Sequence, residues 1–214
     1  MSQQFEFFLV VFTSFFTIIN PLGVLPIFLT MTDGLEDQER KATAQKAMLV
    51  SFITIVLFSF SGQLMFNFFG ISVHSFRIVG GIIFFMVGQD MLQARLQRTK
   101  TQGQSVKEYV GDISITPLAI PMITGPGAIT NAIVLKERAQ TLPEIISFYG
   151  GVIAVCLITL LLLLSASRIM KILGETGSKI LMRLMGLIVM VIAVEFFLSG
   201  LRPIIKDLIL YLNT

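Results

Sequence analysis

The sequence has little charge, one cysteine, one histidine and no tryptophan. Charged residues make up 14% of the chain, whereas soluble domains carry about 25%. Because charge is what a water-facing surface is made from, this composition excludes an ordinary soluble domain. The single cysteine excludes a disulfide framework or a cysteine-ligated cluster, and the single histidine excludes a paired-histidine metal site. We therefore expect neither a metal nor a cofactor.

What the sequence has instead is hydrophobic length. Hydrophobic residues make up 54% of the 214 residues, and the mean hydropathy is +0.84. A helix needs about 20 mostly apolar residues to cross a bilayer. Four long uncharged runs, and two shorter ones extended through a single charge, predict an all-α integral membrane protein with six transmembrane helices. The predicted spans are residues 7–32, 47–76, 73–92, 113–135, 145–167 and 180–201.

Lysine and arginine are distributed unequally between the two sides of these spans. Five of the 16 lie on the side of the chain ends and eleven on the other side. Cytoplasmic segments carry the excess of lysine and arginine, so both termini are predicted to lie outside the cytoplasm. The same rule accounts for the net charge of +3, and we expect the lipid bilayer as a partner and no nucleic acid.

Two halves of the sequence carry matching motifs in the same order. Arg77-Ile78-Val79-Gly80 matches Arg183-Leu184-Met185-Gly186, Gln89 matches Glu195, and Pro21 matches Pro126. Each half holds three predicted spans, and an odd number inverts the second half relative to the first. We therefore predict a 3+3 inverted repeat, an arrangement typical of secondary transporters. Its parts are a first repeat (1–92), a cytoplasmic linker (93–112) and a second repeat (113–214).

The first and fourth spans contain helix-breaking residues at matching positions. Proline removes an amide donor and blocks the carbonyl four residues back. Each break leaves two half-helix ends of opposite dipole, which suit the carboxylate and the ammonium of a zwitterion. The substrate-binding residues predicted at the breaks are Thr17, Asn20, Pro21, Gly23, Thr124, Gly125, Pro126, Gly127 and Asn131.

Polar residues within the third and sixth spans are further candidates. An ionisable residue inside a span is costly and usually functional, so Glu195 and its counterpart Gln89 are predicted to couple transport to a proton. A structural pairing of Glu195 is the alternative. Arg77, Gly80, Arg183 and Gly186 are predicted to be structural, because their repetition suits residues that hold the two halves together.

An enzyme is not expected. Ser72 and His74 lie in one short turn, whereas a nucleophile and its base are normally brought together from separate elements. The interpretation from the residues is a secondary transporter of a small zwitterionic solute, with a homo-oligomer left open. A non-transporting sensor or assembly protein and a channel are the alternatives.

Four motifs together resemble those of a known family. They are Asn20-Pro21-Leu22-Gly23 with Pro26, Phe76-Arg77-Ile78-Val79-Gly80-Gly81, Pro117-Leu118-Ala119-Ile120-Pro121 with Gly125-Pro126-Gly127, and Arg183-Leu184-Met185-Gly186-Leu187. In this order, and over residues 7–201, the chain resembles the MarC family of six-span bacterial inner-membrane proteins. The resemblance implies a transporter fold, often grouped with LysE-type exporters. It also implies small neutral amino acids, or similar small polar solutes, as substrates.

Overall fold

The structure is a computed structural model, and it describes residues 3–32, 34–93 and 106–212. The described residues form helices and no strand. In chain order the helices are α1 (Gln3–Ile19), α2 (Pro21–Met31), α3 (Asp37–Phe69), α4 (Val73–Leu92), α5 (Val106–Ile113), a π-helical segment (Ser114–Ile123), α6 (Pro126–Arg138), α7 (Leu142–Leu164) and α8 (Ala166–Leu212).

Within the described part of the chain, five helical stretches are long and apolar enough to cross a membrane. They are Gln4–Met31, Asp37–Phe69, Val73–Leu92, Leu142–Leu164 and Thr176–Tyr211. The predicted third span coincides with α4. The predicted fourth span does not form one continuous helix, because its residues are divided among α5, the π-helical segment and α6.

Two predicted spans are longer in the structure than the uncharged runs suggested. The predicted second span covers residues 47–76, whereas α3 begins earlier, at Asp37, and ends earlier, at Phe69. A capping box stabilises this polar first turn, in which the backbone N–H of Glu36 donates to the Glu39 carboxylate at 3.0 Å. The predicted end of the sixth span at residue 201 is wrong, since α8 continues to Leu212. A charge interrupts an apolar run without ending a helix.

Part of the predicted linker, residues 93–112, is helical. Residues 94–105 lie outside the described residues, but residues 106–112 are helical and belong to α5. The hydroxyl of the buried Tyr109 donates to the backbone carbonyl of Met31 at 3.0 Å. Tyr109 and Ile113 also join an apolar cluster with Met31 and Met91. Helix α5 is therefore packed against α2 and α4.

The break in the first span lies at Asn20. This residue has φ 47° and ψ 68°, and it is the one non-glycine residue with positive φ in the described part of the chain. Asparagine visits the left-handed region more readily than other residues with a side chain. The next residue, Pro21, supplies no N–H, so α2 begins there as a separate helix. The predicted break is confirmed.

The predicted break in the fourth span is also confirmed, and proline sets its position. Thr116 and Ile120 leave helical geometry, with ψ near 120° at both residues. Each directly precedes a proline, and the residue before proline is pushed out of the helical region by its ring. Helix α6 then begins afresh at Pro126.

Helices α4 and α8 pack so closely that their backbones are in contact. A Cβ atom built on Gly81 would lie 2.7 Å from the carbonyl oxygen of Ala193, and one on Gly88 would lie 2.9 Å from that of Gly186. At the other end, a Cβ on Gly200 would lie 2.5 Å from the carbonyl oxygen of His74. Rising numbers on α4 meet falling numbers on α8, so the two helices are antiparallel. Small residues seven apart form this contact, which we call the glycine seam.

The glycine seam predicts opposite effects for two Gly→Ala changes. We expect Gly88→Ala to lower the free energy of unfolding by about 1–3 kcal/mol, because the added methyl group overpacks a backbone contact. Gly150→Ala on α7 is the control, since its Cβ would meet Phe8 at an ordinary 3.7 Å and alanine favours a helix. Thermal unfolding of both purified variants in detergent measures the difference. A Gly88→Ala protein as stable as the Gly150→Ala protein would contradict the seam.

Candidate functional site

A small cavity lies beside the break between α1 and α2. Asn20 and Gly23 line it from the break, Met122 from the π-helical segment, Phe84 from α4, and Val189 and Ile192 from α8. Its volume is about 30 Å³. Sites for small molecules usually measure about 300 Å³ or more, so in this conformation the cavity holds water-sized molecules only.

The side chain of Asn20 both caps α2 and presents a free donor. Its Oδ1 accepts a hydrogen bond from the backbone N–H of Gly23 at 3.2 Å. Its Nδ2 is buried and has no partner among the described residues. A Cβ at position 23 would lie 2.5 Å from that Nδ2, so a larger residue there would displace the Asn20 amide. An unsatisfied buried donor costs about 1–3 kcal/mol, and a ligand that accepts from it would offset this cost.

The backbone around Asn20 adds two opposite partial charges. Helix α1 ends at Ile19, and its last carbonyl groups lack a partner in the next turn. Helix α2 begins at Pro21, which has no N–H, and the N–H groups of Gly23 and Val24 donate to the carbonyl of Asn20. The macrodipole makes the first end partly negative and the second partly positive. A solute with one acceptor group and one donor group therefore matches this break.

The second break uses its polar side chain differently. Thr124 is fully buried, and both its backbone N–H and its hydroxyl donate to the carbonyl oxygen of Ala119 at 2.8 Å. That carbonyl has lost its usual partner at the break, so Thr124 satisfies the backbone. On α6, the Thr130 Oγ1 and Asn131 Nδ2 atoms are buried and have no partner in the described part of the chain.

The two breaks are neighbours. A Cβ on Gly127 would lie 3.0 Å from the Ile18 side chain and 2.7 Å from that of Phe196. The first turn of α6 therefore lies against the last turn of α1. Gly80 of α4 contacts the ring of Pro126. The second break therefore lies next to the glycine seam, which includes the neighbouring Gly81.

The structure brings only some of the predicted binding residues to the cavity. Asn20 and Gly23 line it, whereas Pro21 is buried beside it within α2. Thr17 is exposed on α1 and does not line it. The residues of the second break that do not line it are Thr124, Gly125, Pro126, Gly127 and Asn131.

Glu195 and Gln89 lie on exposed helix surfaces. Glu195 follows the seam residue Ala193 by two positions, which is about 200° around the helix. It therefore faces away from α4, and it makes no hydrogen bond or ion pair with a described residue. Neither Glu195 nor Gln89 lines the cavity.

The predicted structural residues lie at or near the glycine seam. Gly186 is in the seam itself, and the Cβ of Arg77 would lie 3.1 Å from a Cβ on Gly200. Arg183 is exposed on α8. Gly80, Arg77 and Gly186 therefore lie where the first half contacts the second.

Sequence reasoning missed the apolar walls of the cavity. Phe84 and Val189 each follow a seam glycine by three residues, which is one helical turn. Apolar residues at this spacing look like ordinary packing in any membrane helix. The paired glycines were the available signal. They mark a close contact between two helices, and side chains one turn away flank that contact.

Ser72 and His74, weighed from the sequence as a nucleophile and its base, lie at the start of α4. The Ser72 hydroxyl oxygen accepts from the backbone N–H of Ser75 at 2.9 Å and caps α4. It also lies 2.9 Å from the Ser75 hydroxyl, while His74 Nδ1 has no partner among the described residues. Those residues hold no cluster of three potential metal ligands.

Comparison with known proteins identifies the family. The model of the family described as "MarC family integral membrane protein" matches residues 5–205. The chain belongs to the MarC family. UPF0056 membrane protein YvbG of Bacillus subtilis is 37% identical over 203 residues, which cover 94% of this chain and 96% of YvbG.

Other MarC family relatives match over similar lengths. A UPF0056 membrane protein of Pyrococcus horikoshii is 34% identical over 94% of this chain and 98% of its own. UPF0056 membrane protein YhcE of Escherichia coli is 32% identical over 98% of this chain and 100% of its own. The names of these relatives describe them only as membrane proteins and give no substrate. No solved structure matches the chain.

The left-handed backbone of Asn20 predicts a difference between two substitutions. Asn20→Ala should lower the free energy of unfolding by about 1–2 kcal/mol, because alanine loses the cap and is strained at positive φ. Asn20→Gly should cost only a few tenths of a kcal/mol, since glycine adopts that φ freely. Thermal unfolding in detergent compares the two. Equal stability of both variants would show that backbone conformation does not select asparagine here.

Proposed function

We propose that this MarC family protein is a secondary transporter of small neutral amino acids or similar small polar solutes. The observation that carries the proposal is the buried, unpartnered Asn20 amide at a helix break that lines a cavity. In a membrane, irregular backbone is tolerated only where protein or a wet cavity satisfies it. A break that keeps a free donor beside a cavity is better suited to a passing solute than to packing.

The chemistry of the break favours a zwitterion. The Asn20 Nδ2 donor and the N–H end of α2 suit a carboxylate, and the carbonyl end of α1 suits an ammonium. The remaining walls, such as Phe84, Val189 and Ile192, are apolar. They suit a small aliphatic side chain better than a charged one, because burying an unpaired charge is costly.

Six spans arranged as a 3+3 inverted repeat are part of the proposal. The broken segment from α5 to α6 would supply the sixth crossing beside the five candidate spans, of which the first is itself broken at Asn20. The antiparallel packing of α4 against α8, the third helix of each half, supports the inversion. The lysine and arginine distribution favours both termini outside the cytoplasm, and the bacterial inner membrane is what the resemblance to the MarC family implies.

The contacts of the two halves differ at equivalent positions. Gly80 contacts Pro126, but the atoms nearest to Gly186 belong to Gly88, Met91 and Leu92 rather than to Pro21. An inverted-repeat transporter alternates by rocking one part against the other around a fixed site. This asymmetry, together with a cavity of about 30 Å³, fits one closed conformation of such a cycle. The proposal includes no catalytic residue and no cofactor.

The proposal is tested first by binding and then by flux. A panel of amino acids is screened by thermal shift, since a ligand of the native state raises the apparent stability. A stabilising amino acid is then used in counterflow with proteoliposomes. We expect Asn20→Gly to weaken its binding about tenfold to a hundredfold, the value of a hydrogen bond to a charged group. Loss of counterflow should accompany the weaker binding.

The control is Ser61→Ala, whose hydroxyl donates to the Leu57 carbonyl within α3 and does not line the cavity. It should bind and exchange like the unaltered protein. Normal exchange by Asn20→Gly would place the substrate elsewhere. Flux that never saturates would favour a channel, and absence of exchange with every amino acid would favour a sensor or assembly protein.

Proton coupling through Glu195 is tested separately, because this residue lies away from the cavity. If it carries the proton, Glu195→Gln should exchange substrate normally yet fail to accumulate it under a pH gradient. Gln replaces the carboxyl group at nearly constant volume, so packing is preserved. Accumulation with unchanged pH dependence would make Glu195 a structural residue and leave substrate binding at Asn20 unaffected.

A further inference from the structure

A second, larger cavity lies at one end of the helices, away from the Asn20 break. It is bounded by the first turn of α3 and by the junction of α7 with α8, and its volume is about 420 Å³. This volume falls within the range of about 300–1,000 Å³ that is usual for ligand sites. We call it the basic pocket, and its charged and hydroxyl residues are Asp37, Arg40, Lys41, Ser165, Ser167, Arg168 and Lys171.

The spacing on each helix directs these side chains to one place. Asp37, Arg40 and Lys41 are three and four residues apart on α3, and Arg168 and Lys171 are three apart on α8. Residues at these spacings share a helix face. Four cations and one carboxylate therefore converge on the pocket from two separate parts of the chain.

Arg40 forms the frame of the basic pocket rather than a free ligand-binding group. Its Nε and Nη2 donate to the hydroxyl and carbonyl of Thr32, at 3.3 and 3.1 Å. Its Nη1 donates to Ser167 Oγ at 2.9 Å and to Asp37 Oδ1 at 3.4 Å, and Nη2 also reaches the Leu35 carbonyl at 3.4 Å. These bonds use all five N–H donors of a guanidinium group. They join α2, α3 and α8, and they occupy the one carboxylate in the pocket.

The other three cations are left without an anion. Lys41, Arg168 and Lys171 are exposed, and none of them has a hydrogen bond or an ion pair with a described residue. Like charges held together around a concave surface repel one another and attract an anion. The hydroxyl of Ser167 accepts from Arg40 and still has its own O–H to donate.

The position of the basic pocket relative to the membrane indicates which anion the three cations would bind. Leu163 and Leu164 form its apolar edge, and they are the last residues of the span Leu142–Leu164. The pocket therefore lies where an apolar span meets the polar region, at the level of lipid headgroups. Basic pockets between transmembrane helices at this level bind anionic headgroups.

We propose that the basic pocket binds a phosphate group, supplied by the headgroup of an anionic phospholipid whose acyl chains lie along the end of α7. Lys41, Arg168 and Lys171 hold the phosphate, and Arg40 keeps the two walls at a fixed distance. A bound lipid would thereby fasten the start of α3 to the junction of α7 and α8. This site is separate from the Asn20 cavity and does not depend on transport.

The test measures lipid binding to the full-length protein in an uncharged detergent by native mass spectrometry. The probes are phosphatidylglycerol, phosphatidylcholine with the same acyl chains, and inorganic phosphate. The double variant Arg168→Gln, Lys171→Gln removes two unpartnered cations. The matched control Lys46→Gln, Lys179→Gln removes two exposed lysines that do not line the pocket. Circular dichroism and thermal unfolding verify that both variants fold.

We expect phosphatidylglycerol to bind the unaltered protein and the control about equally, and to bind Arg168→Gln, Lys171→Gln about tenfold or more weakly. Phosphatidylcholine should bind all three proteins weakly. Equal binding of the two lipids, or equal losses in both double variants, would overturn the proposal, because either result shows general attraction to charge. Binding of inorganic phosphate without phosphatidylglycerol would overturn the lipid source and leave a site for a soluble phosphate.

Discussion

Hydrocarbon offers no hydrogen-bond partner to a peptide group, and this constraint decides where the two helix breaks can lie. At the first break, Asn20 satisfies the N–H of Gly23 and keeps one amide donor free beside a cavity. At the second, Thr124 returns two hydrogen bonds to the carbonyl of Ala119. Each break is tolerated because a polar side chain next to it completes the bonding that helix geometry has lost.

The breaks themselves were predictable from sequence, because proline and glycine act locally. Pro117 and Pro121 push the residues before them out of the helix, and Pro21 does the same to Asn20. The limits of α4 were predictable as well, since Ser72 caps its start. These features depend on residues adjacent in the chain, which is the range over which a sequence pattern carries structural information.

Features set by packing between helices were not predictable. Residues 106–112 were predicted as a linker, yet Tyr109 of α5 packs into an apolar cluster and its hydroxyl donates to the Met31 carbonyl. The helical spacing that predicted Thr17 and the repeat that paired Glu195 with Gln89 could not fix how those helices are rotated. Both residues are exposed, whereas apolar side chains such as Phe84 form the cavity wall.

The glycine seam also limits how this molecule can deform. Because α4 and α8 touch through backbone atoms, no flexible side chain lies between them to take up a change of distance. We therefore expect α4 and the part of α8 packed against it to move together as one rigid body. A displacement that widens the space beside Asn20 must occur where this body meets α1, α2 and α6. The hinge of the molecule is then the pair of broken helices, and the residues that would bind a solute are the same ones that would turn.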